Sequence, residues 1–226
     1  MTLTVNVISD IICPWCYIGK RRLEKAIEHL GDASVVKVDW HPFQLNPLLP
    51  IEGINRREYR SNKFGSWERS LALDAQVTAA GAEVGIDFSF AKIKITPNTF
   101  AAHRLVWQAG LEGVQEAVVE AIFHSYFVEA RDISDYQTLL EVVAGGGLNR
   151  DRAANLLASN EGIDALQLAE QTARQAGVRS VPFSVVNDEI SFSGAEHSDV
   201  FLSAFEQLIS NEHDSCEIKS DGKKTC

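Results

Sequence analysis

Ile11-Ile12-Cys13-Pro14-Trp15-Cys16-Tyr17-Ile18-Gly19-Lys20 sits where one periodicity gives way to another. Ahead of it Leu3, Val5 and Val7 alternate with polar neighbours, the period of a half-buried strand. Behind it Leu23, Ala26, Ile27 and Leu30 recur at helical spacing and stop at Gly31. A Cys-x-x-Cys pair at such a strand-to-helix junction points to redox chemistry. Cys13 stands just before the first helical turn, where unpaired N–H groups and the helix dipole favour negative charge. A charged thiol is a thiolate, the form that attacks. Pro14 suits the first helical position because it has no N–H to lose there. Cys16, one turn on, is placed to close a disulfide onto Cys13. We therefore expect Cys13 to be the exposed attacking thiol and Cys16 the more buried resolving one.

Half a zinc site would need a second ligand pair, and the remaining cysteines, Cys216 and Cys226, are spaced unlike a zinc ribbon. Two merely structural cysteines would leave Pro14 and the junction unexplained. No metal is expected at the pair. With 226 residues, the chain holds one large domain or a small core with a substantial insertion. A formal charge of −10 argues against general nucleic-acid binding and against docking on anionic membranes. The start Met1-Thr2-Leu3-Thr4-Val5 lacks a basic and a long apolar segment, and no stretch reaches transmembrane length, so a cytoplasmic protein is expected. In a reducing cytosol a Cys-x-x-Cys pair is catalytic or metal-binding rather than a passive staple.

Val36, Val38 and Trp40 alternate again, which makes residues 1–54 a strand, helix, strand unit with parallel strands. Residues 55–177 are almost entirely helical in pattern. Asn55-x-x-Glu58 and Ser134-x-x-Gln137 resemble capping boxes. Trp67, Leu71, Ala75 and Thr78 form one helical stripe, and Val114, Val118, Ile122 and Tyr126 another. Strand signal returns in 178–210, where Pro182-Phe183-Ser184-Val185-Val186 and Ile190-Ser191-Phe192 flank the polar turn Asn187-Asp188-Glu189. A last amphipathic helix carries Val200, Phe201, Ala204, Phe205 and Leu208, and 211–226 reads as a polar, mobile tail. The order βαβ, helical insert, ββα predicts an α/β protein of the thioredoxin-like fold with a large all-helical insertion.

In folds of that type a proline before the third strand is cis and lies against the active cysteines, the place that Val181-Pro182 takes here. Read by itself, Pro182 is equally an ordinary proline opening a strand. Trp15 and Tyr17 flank the thiols and either line a groove or pack against the insert. Among the histidines within reach, His41, His103 and His124, the one before Arg104 on a helix that could cap the thiols is His103. It is read as a substrate-binding or proton-transfer residue, against the alternative of a satisfied core histidine. Cys216 and Cys226 form a second redox pair, an inert tail or part of a metal site.

These stretches, taken together, resemble the DsbA-like oxidoreductases of the FrnE type. The carriers are Asp10–Gly19, Phe43-Gln44-Leu45-Asn46-Pro47, Pro97-Asn98-Thr99-Phe100-Ala101-Ala102-His103-Arg104-Leu105, Tyr126-Phe127-Val128-Glu129-Ala130-Arg131-Asp132-Ile133 and Gly177-Val178-Arg179-Ser180-Val181-Pro182. The resemblance implies a redox-active Cys13–Cys16 pair, a cis Pro182 and cytoplasmic thiol–disulfide exchange. Some members carry a second cysteine pair near the C-terminus, which Cys216 and Cys226 resemble at a wider spacing. The family usually has glycine where Ala130 stands. A related branch, the 2-hydroxychromene-2-carboxylate isomerases, binds glutathione and typically has serine in place of the first cysteine, so Cys13 argues against it.

The expected activity is thiol:disulfide exchange on protein substrates, with Pro14, Trp15, Val181, Pro182 and His103 shaping the substrate site. The expected partners are thiol- or disulfide-bearing proteins and a cellular thiol reductant. No organic cofactor is expected beyond glutathione as reductant or co-substrate. The competing readings are a glutathione-dependent isomerase or polyketide-tailoring enzyme, and a chaperone-like binding module whose thiols are incidental.

Overall fold

The computed structural model describes residues 2–31 and 36–217, and of 212–217 the backbone alone. The first unit is β1 (Leu3–Ser9), α1 (Pro14–His29) and β2 (Val36–Pro42), with β1 and β2 parallel. The insert follows as β3 (Ile54–Asn55), α2 (Arg56–Phe64), α3 (Trp67–Ala82), β4 (Ile95–Thr96), α4 (Phe100–Leu111) and α5 (Gln115–Phe127). It continues through α6 (Tyr136–Gly145), α7 (Arg150–Leu157) and α8 (Ile163–Gln175). The chain then returns as β5 (Phe183–Val186), β6 (Ile190–Ser193) and α9 (Ser198–Glu217). Strand order in the main sheet is β2-β1-β5-β6, with β5 and β6 antiparallel to their neighbours. β3 and β4 pair separately as a two-residue ribbon.

Alternation along β1 does what its sequence promises. Leu3, Val5 and Val7 are buried in the main core with Ile18, Leu23 and Ala26 of α1 and Phe201 and Phe205 of α9. Ile8 points the other way, into a small cluster with Phe43, Ala173 and Val178. Both faces of the sheet are thereby covered, one by α1 and α9 and the other by α8 of the insert. Gly31 and Gly177, read as helix stops, have φ of +86° and +91°, values that cost glycine nothing.

Three local readings change. The stripe Trp67, Leu71, Ala75 and Thr78 is not the buried face of α3. Its buried residues are Ser70, Asp74, Val77 and Gly81, and Leu71 is 45% exposed. Asp74 is held there because Arg56 and Arg60 of α2 pair with it at 2.8 and 2.7 Å. The cap of α6 is Asp135, which accepts from the Thr138 N–H at 2.9 Å, while the Ser134 hydroxyl donates to the Glu52 carbonyl at 3.0 Å. Finally, α9 runs on to Glu217, into the segment read as tail. Cys216 falls on that helix, but its side chain and the whole of Cys226 lie outside the described residues, and so does their pairing. Ala130 adopts φ +57°, the left-handed region in which a glycine would be unstrained.

The insert is fastened to α1 by charge as well as by packing. Lys20, with its side chain 2% exposed, meets Glu116 at 2.6 Å, Glu120 at 3.0 Å and also Glu24. The Tyr17 hydroxyl donates to Glu120 at 2.8 Å, and Arg21 pairs with the same carboxylate. Burial by itself would raise the Glu120 carboxyl. Lys20, Tyr17 and Arg21 outweigh it and hold the group below its ordinary value of 4.5. A carboxyl depressed in the folded state stabilises fully above its ordinary pKa and loses that contribution as pH falls through the folded value. Glu120→Gln is therefore expected to destabilise the protein by about 2 kcal/mol at pH 7. Thermal melts should show the gap to wild type closing as pH drops below 4.5; a gap constant from neutral to acid would refute the charge assignment.

Candidate active site

Cys13 is the N-cap of α1, in extended conformation, and Pro14 opens the first turn. The Cys13 N–H donates to the Asp10 carbonyl at 2.9 Å, and the Cys16 N–H returns to the Cys13 carbonyl at 3.0 Å. The helix carries no acidic residue in its first turn, so its positive end is left to meet negative charge arising at Cys13. Both cysteines are free thiols. Cys13, expected to be exposed, is buried at 6%, because the Val181–Pro182 loop packs over it; Cys16 is sealed at 0%, so Cys13 is the more accessible of the two. Burial pushes the Cys16 thiol well up, and the Cys13 sulfur beside it pushes it further.

The Cys13 thiol donates to the Val181 carbonyl at 3.5 Å, across 168 positions of chain. The Val181–Pro182 bond is cis, as the sequence reading expected. A Cβ on Gly19 would stand 3.1 Å from the Pro182 ring, so the bare glycine face of α1 is what admits that loop beside the thiols. Of the two aromatic neighbours, Trp15 is 40% exposed while Tyr17 is buried, stacked on Phe123 at 5.0 Å between ring centres. Trp15 thus faces the surface and Tyr17 the core.

His103 is buried at 3% and its Nε2 lies 3.3 Å from Asp10 Oδ1. It stands behind the Cys13 loop, touching Asp10 rather than the groove that it was expected to line. Asp10, fully buried, also accepts from the Leu45 N–H at 2.7 Å and the Ile12 N–H at 3.5 Å. His41 bonds Asn6 at 2.9 Å and His124 lies 3.6 Å from Glu129. Arg104 donates to the carbonyls of Leu156, Ser159 and Glu161 at the end of α7, a structural role.

Cys13, Pro14 and Trp15 form one wall of a cavity of about 290 Å³. The opposite wall comes from α2 and α3: Arg56, Tyr59, Arg60, Lys63, Phe64 and Asp74. Phe90, Tyr126 and Phe127 close its floor. None of the charged residues of that wall stood out in the sequence. The available signal was the Arg56, Arg60, Lys63 spacing, which puts three cations on one side of a helix one turn apart.

The sequence profile of the DSBA-like thioredoxin domain matches residues 4–206. YwbO of Bacillus subtilis, an uncharacterized protein, is 26% identical over 213 residues, covering 94% of this chain and 98% of YwbO. The probable DsbA oxidoreductase of Streptomyces coelicolor has a crystal structure that matches with a TM-score of 0.84 at 30% identity, over 92% of this chain and 90% of that one. A 2-hydroxychromene-2-carboxylate isomerase matches with a TM-score of 0.72 at 18% identity, over 93% and 98% of the two chains, a likeness of fold alone. Because the profile runs through both halves of the sheet and the insert between them, the chain belongs to the DSBA-like thioredoxin domain family.

Proposed function

We propose that the protein is a cytoplasmic thiol:disulfide oxidoreductase of the FrnE type, acting on thiol- or disulfide-bearing proteins through Cys13 and Cys16. The observation that carries the reading is one thiol at a helix N-terminus on a cavity wall with a second, sealed thiol one turn behind it. Cys13, as thiolate, attacks one sulfur of a substrate disulfide; the S–S bond breaks and the other sulfur departs as thiolate. Cys16 then passes its proton to that released thiolate and attacks the Cys13 sulfur; the Cys13–substrate bond breaks, the second substrate sulfur departs as thiolate, and a Cys13–Cys16 disulfide is left. Two electrons have moved to the substrate, and a cellular thiol such as glutathione restores the pair. Run in reverse, the same steps oxidise a substrate dithiol. Backbone of Val181 and the ring of Pro182, beside Cys13, hold the substrate segment.

The test is equilibration of the full chain with Cys216→Ser and Cys226→Ser in glutathione buffers. A reversible Cys13–Cys16 disulfide is expected, with a potential between about −270 mV (a reductant) and about −120 mV (a strong oxidant). Absence of any reversible disulfide would reject the reading. A second reading, a glutathione-dependent isomerase on a small molecule, draws support from the compact, aromatic-walled cavity. It requires turnover that survives Cys16→Ser.

A further inference from the structure

The cavity beside Cys13 has a charge unlike that of the chain around it. Arg56, Arg60 and Lys63 line it, and the sole carboxylate among its lining residues is Asp74. Asp74 is divided between two guanidiniums, Arg56 on one oxygen and Arg60 on the other. Lys63 bonds only the Tyr59 hydroxyl, at 2.7 Å, and has no carboxylate partner among the described residues. The cavity thus holds two positive charges in excess, within a chain of net charge −10. One of the two sits in low-polarity surroundings, where it is felt more strongly, because the Arg56 and Arg60 side chains that share Asp74 are 5% and 17% exposed; the other, on Lys63, is exposed. Burial and the neighbouring Arg56 charge both work to lower the Arg60 pKa, as expected where positive charge lacks a full complement. Asn46, Gln76 and Thr96 add uncharged polar groups, and most of the remaining lining is aromatic or aliphatic, Trp15, Tyr59, Phe64, Phe90 and Val77 among it. Arg60 already lies over the Phe64 ring at 4.8 Å and Arg56 over Phe90 at 5.4 Å.

We infer that this cavity is a subsite for a carboxylate-bearing apolar group, about one substituted ring in size, attached close to the sulfur that Cys13 attacks. The inference rests on the thiol-exchange reading above and names the kind of substrate it selects. Lys63, with Arg60 behind it, meets the carboxylate, and Trp15 and Phe64 receive the apolar body. Such a group supplies the missing negative charge while covering rings that otherwise face water.

The test is the rate at which Cys13 forms mixed disulfides with two aromatic disulfides of similar size. Dithiobis(nitrobenzoate) carries a carboxylate on each ring, and dithiodipyridine is neutral. The full chain is used with Cys16, Cys216 and Cys226 changed to serine, so that one thiol reports. The ratio of the two rates is divided by that of N-acetylcysteinamide, an uncharged free thiol. A chain of charge −10 without this subsite would repel the anionic disulfide and bring the normalised ratio below one. The expected ratio is about ten, falling by roughly tenfold in Lys63→Gln and collapsing as added salt screens the site. Arg60→Gln should lower it further, and if that variant does not fold, the exposed Lys63 carries the test. A ratio at or below one, or one unmoved by Lys63→Gln, overturns the subsite while leaving thiol exchange intact. If Cys13 reacts with neither disulfide, the exchange reading falls and the subsite with it. Peptide disulfides with Glu-Phe or Lys-Phe beside the cysteine separate the sources. A preference for the glutamate peptide means that a polypeptide delivers the group, and a preference confined to the small disulfides means that a small molecule does. Either upholds the subsite.

Discussion

Cys13→Ser will reduce disulfide exchange by about a thousandfold or more, to the rate of the uncatalysed reaction, because it deletes the nucleophile and nothing can replace it. The fold should tolerate the change. A serine hydroxyl keeps a donor for the Val181 carbonyl, and the helix still begins at Pro14. Cys16→Ser will behave differently: Cys13 still attacks, and the enzyme stops as a stable mixed disulfide with its substrate. The difference follows from burial. Cys16 is sealed at 0% exposure, so it reaches no substrate sulfur and can act only on the sulfur of Cys13. Its raised pKa keeps it a thiol through the first step, which protects that step from premature loss of the second nucleophile. Intact-mass analysis after mixing with a disulfide substrate reads the adduct directly. Exchange that persists in Cys13→Ser would overturn the assignment of the nucleophile. Full multiple turnover by Cys16→Ser would move the glutathione-dependent isomerase reading ahead.

The features legible in the sequence are those in which local pattern and tertiary burial agree. Leu3, Val5 and Val7 alternate and are buried in alternation; Asn55 caps α2 through the Glu58 N–H as its spacing predicts. The thiol pair was legible because Cys13, Pro14 and Cys16 carry their chemistry within one helical turn. The cation-lined wall was not. Arg56 meets Asp74 across 18 positions and Arg60 meets it across 14, so the polar face of α3 is buried by a partner that no window on α3 contains. Reading hydrophobicity alone therefore chose Leu71 over Asp74 and turned the helix the wrong way. His103 is a related case. Its helical position was correctly noted, but what it faces depends on a residue 93 positions away.

That residue, Asp10, is where the second large effect is expected: Asp10→Ala should cost about 3 kcal/mol or more of unfolding free energy. Its carboxylate is fully buried, and the Leu45 N–H at 2.7 Å has no other acceptor given to it. Removing the carboxylate leaves the buried His103 ring without its partner, at about 1–3 kcal/mol, and loses the bond to the N–H of Leu45, a residue 36% exposed, at about 0.5–1.5 kcal/mol. Asp10→Asn keeps the shape and one acceptor oxygen, so about half the loss is expected. The Asp10 carbonyl that receives the Cys13 N–H belongs to the backbone and survives both changes. Urea denaturation measures the loss, and a shift under 1 kcal/mol would show that water or a neighbour takes over the carboxylate's bonds. A double-mutant cycle with His103→Gln separates the two roles open to the histidine. If His103 serves only to hold Asp10, its replacement lowers stability, adds little on top of Asp10→Ala and leaves the pH profile of exchange in place. If it moves protons for the thiols, the pH profile of exchange shifts even in a variant that is no less stable. The geometry favours the first outcome, because Asp10 ties the Cys13 loop to Leu45, and both Cys13 and Leu45 line the cavity. On that outcome the buried acid sets the width of the cavity at Cys13, and His103 keeps the acid in place.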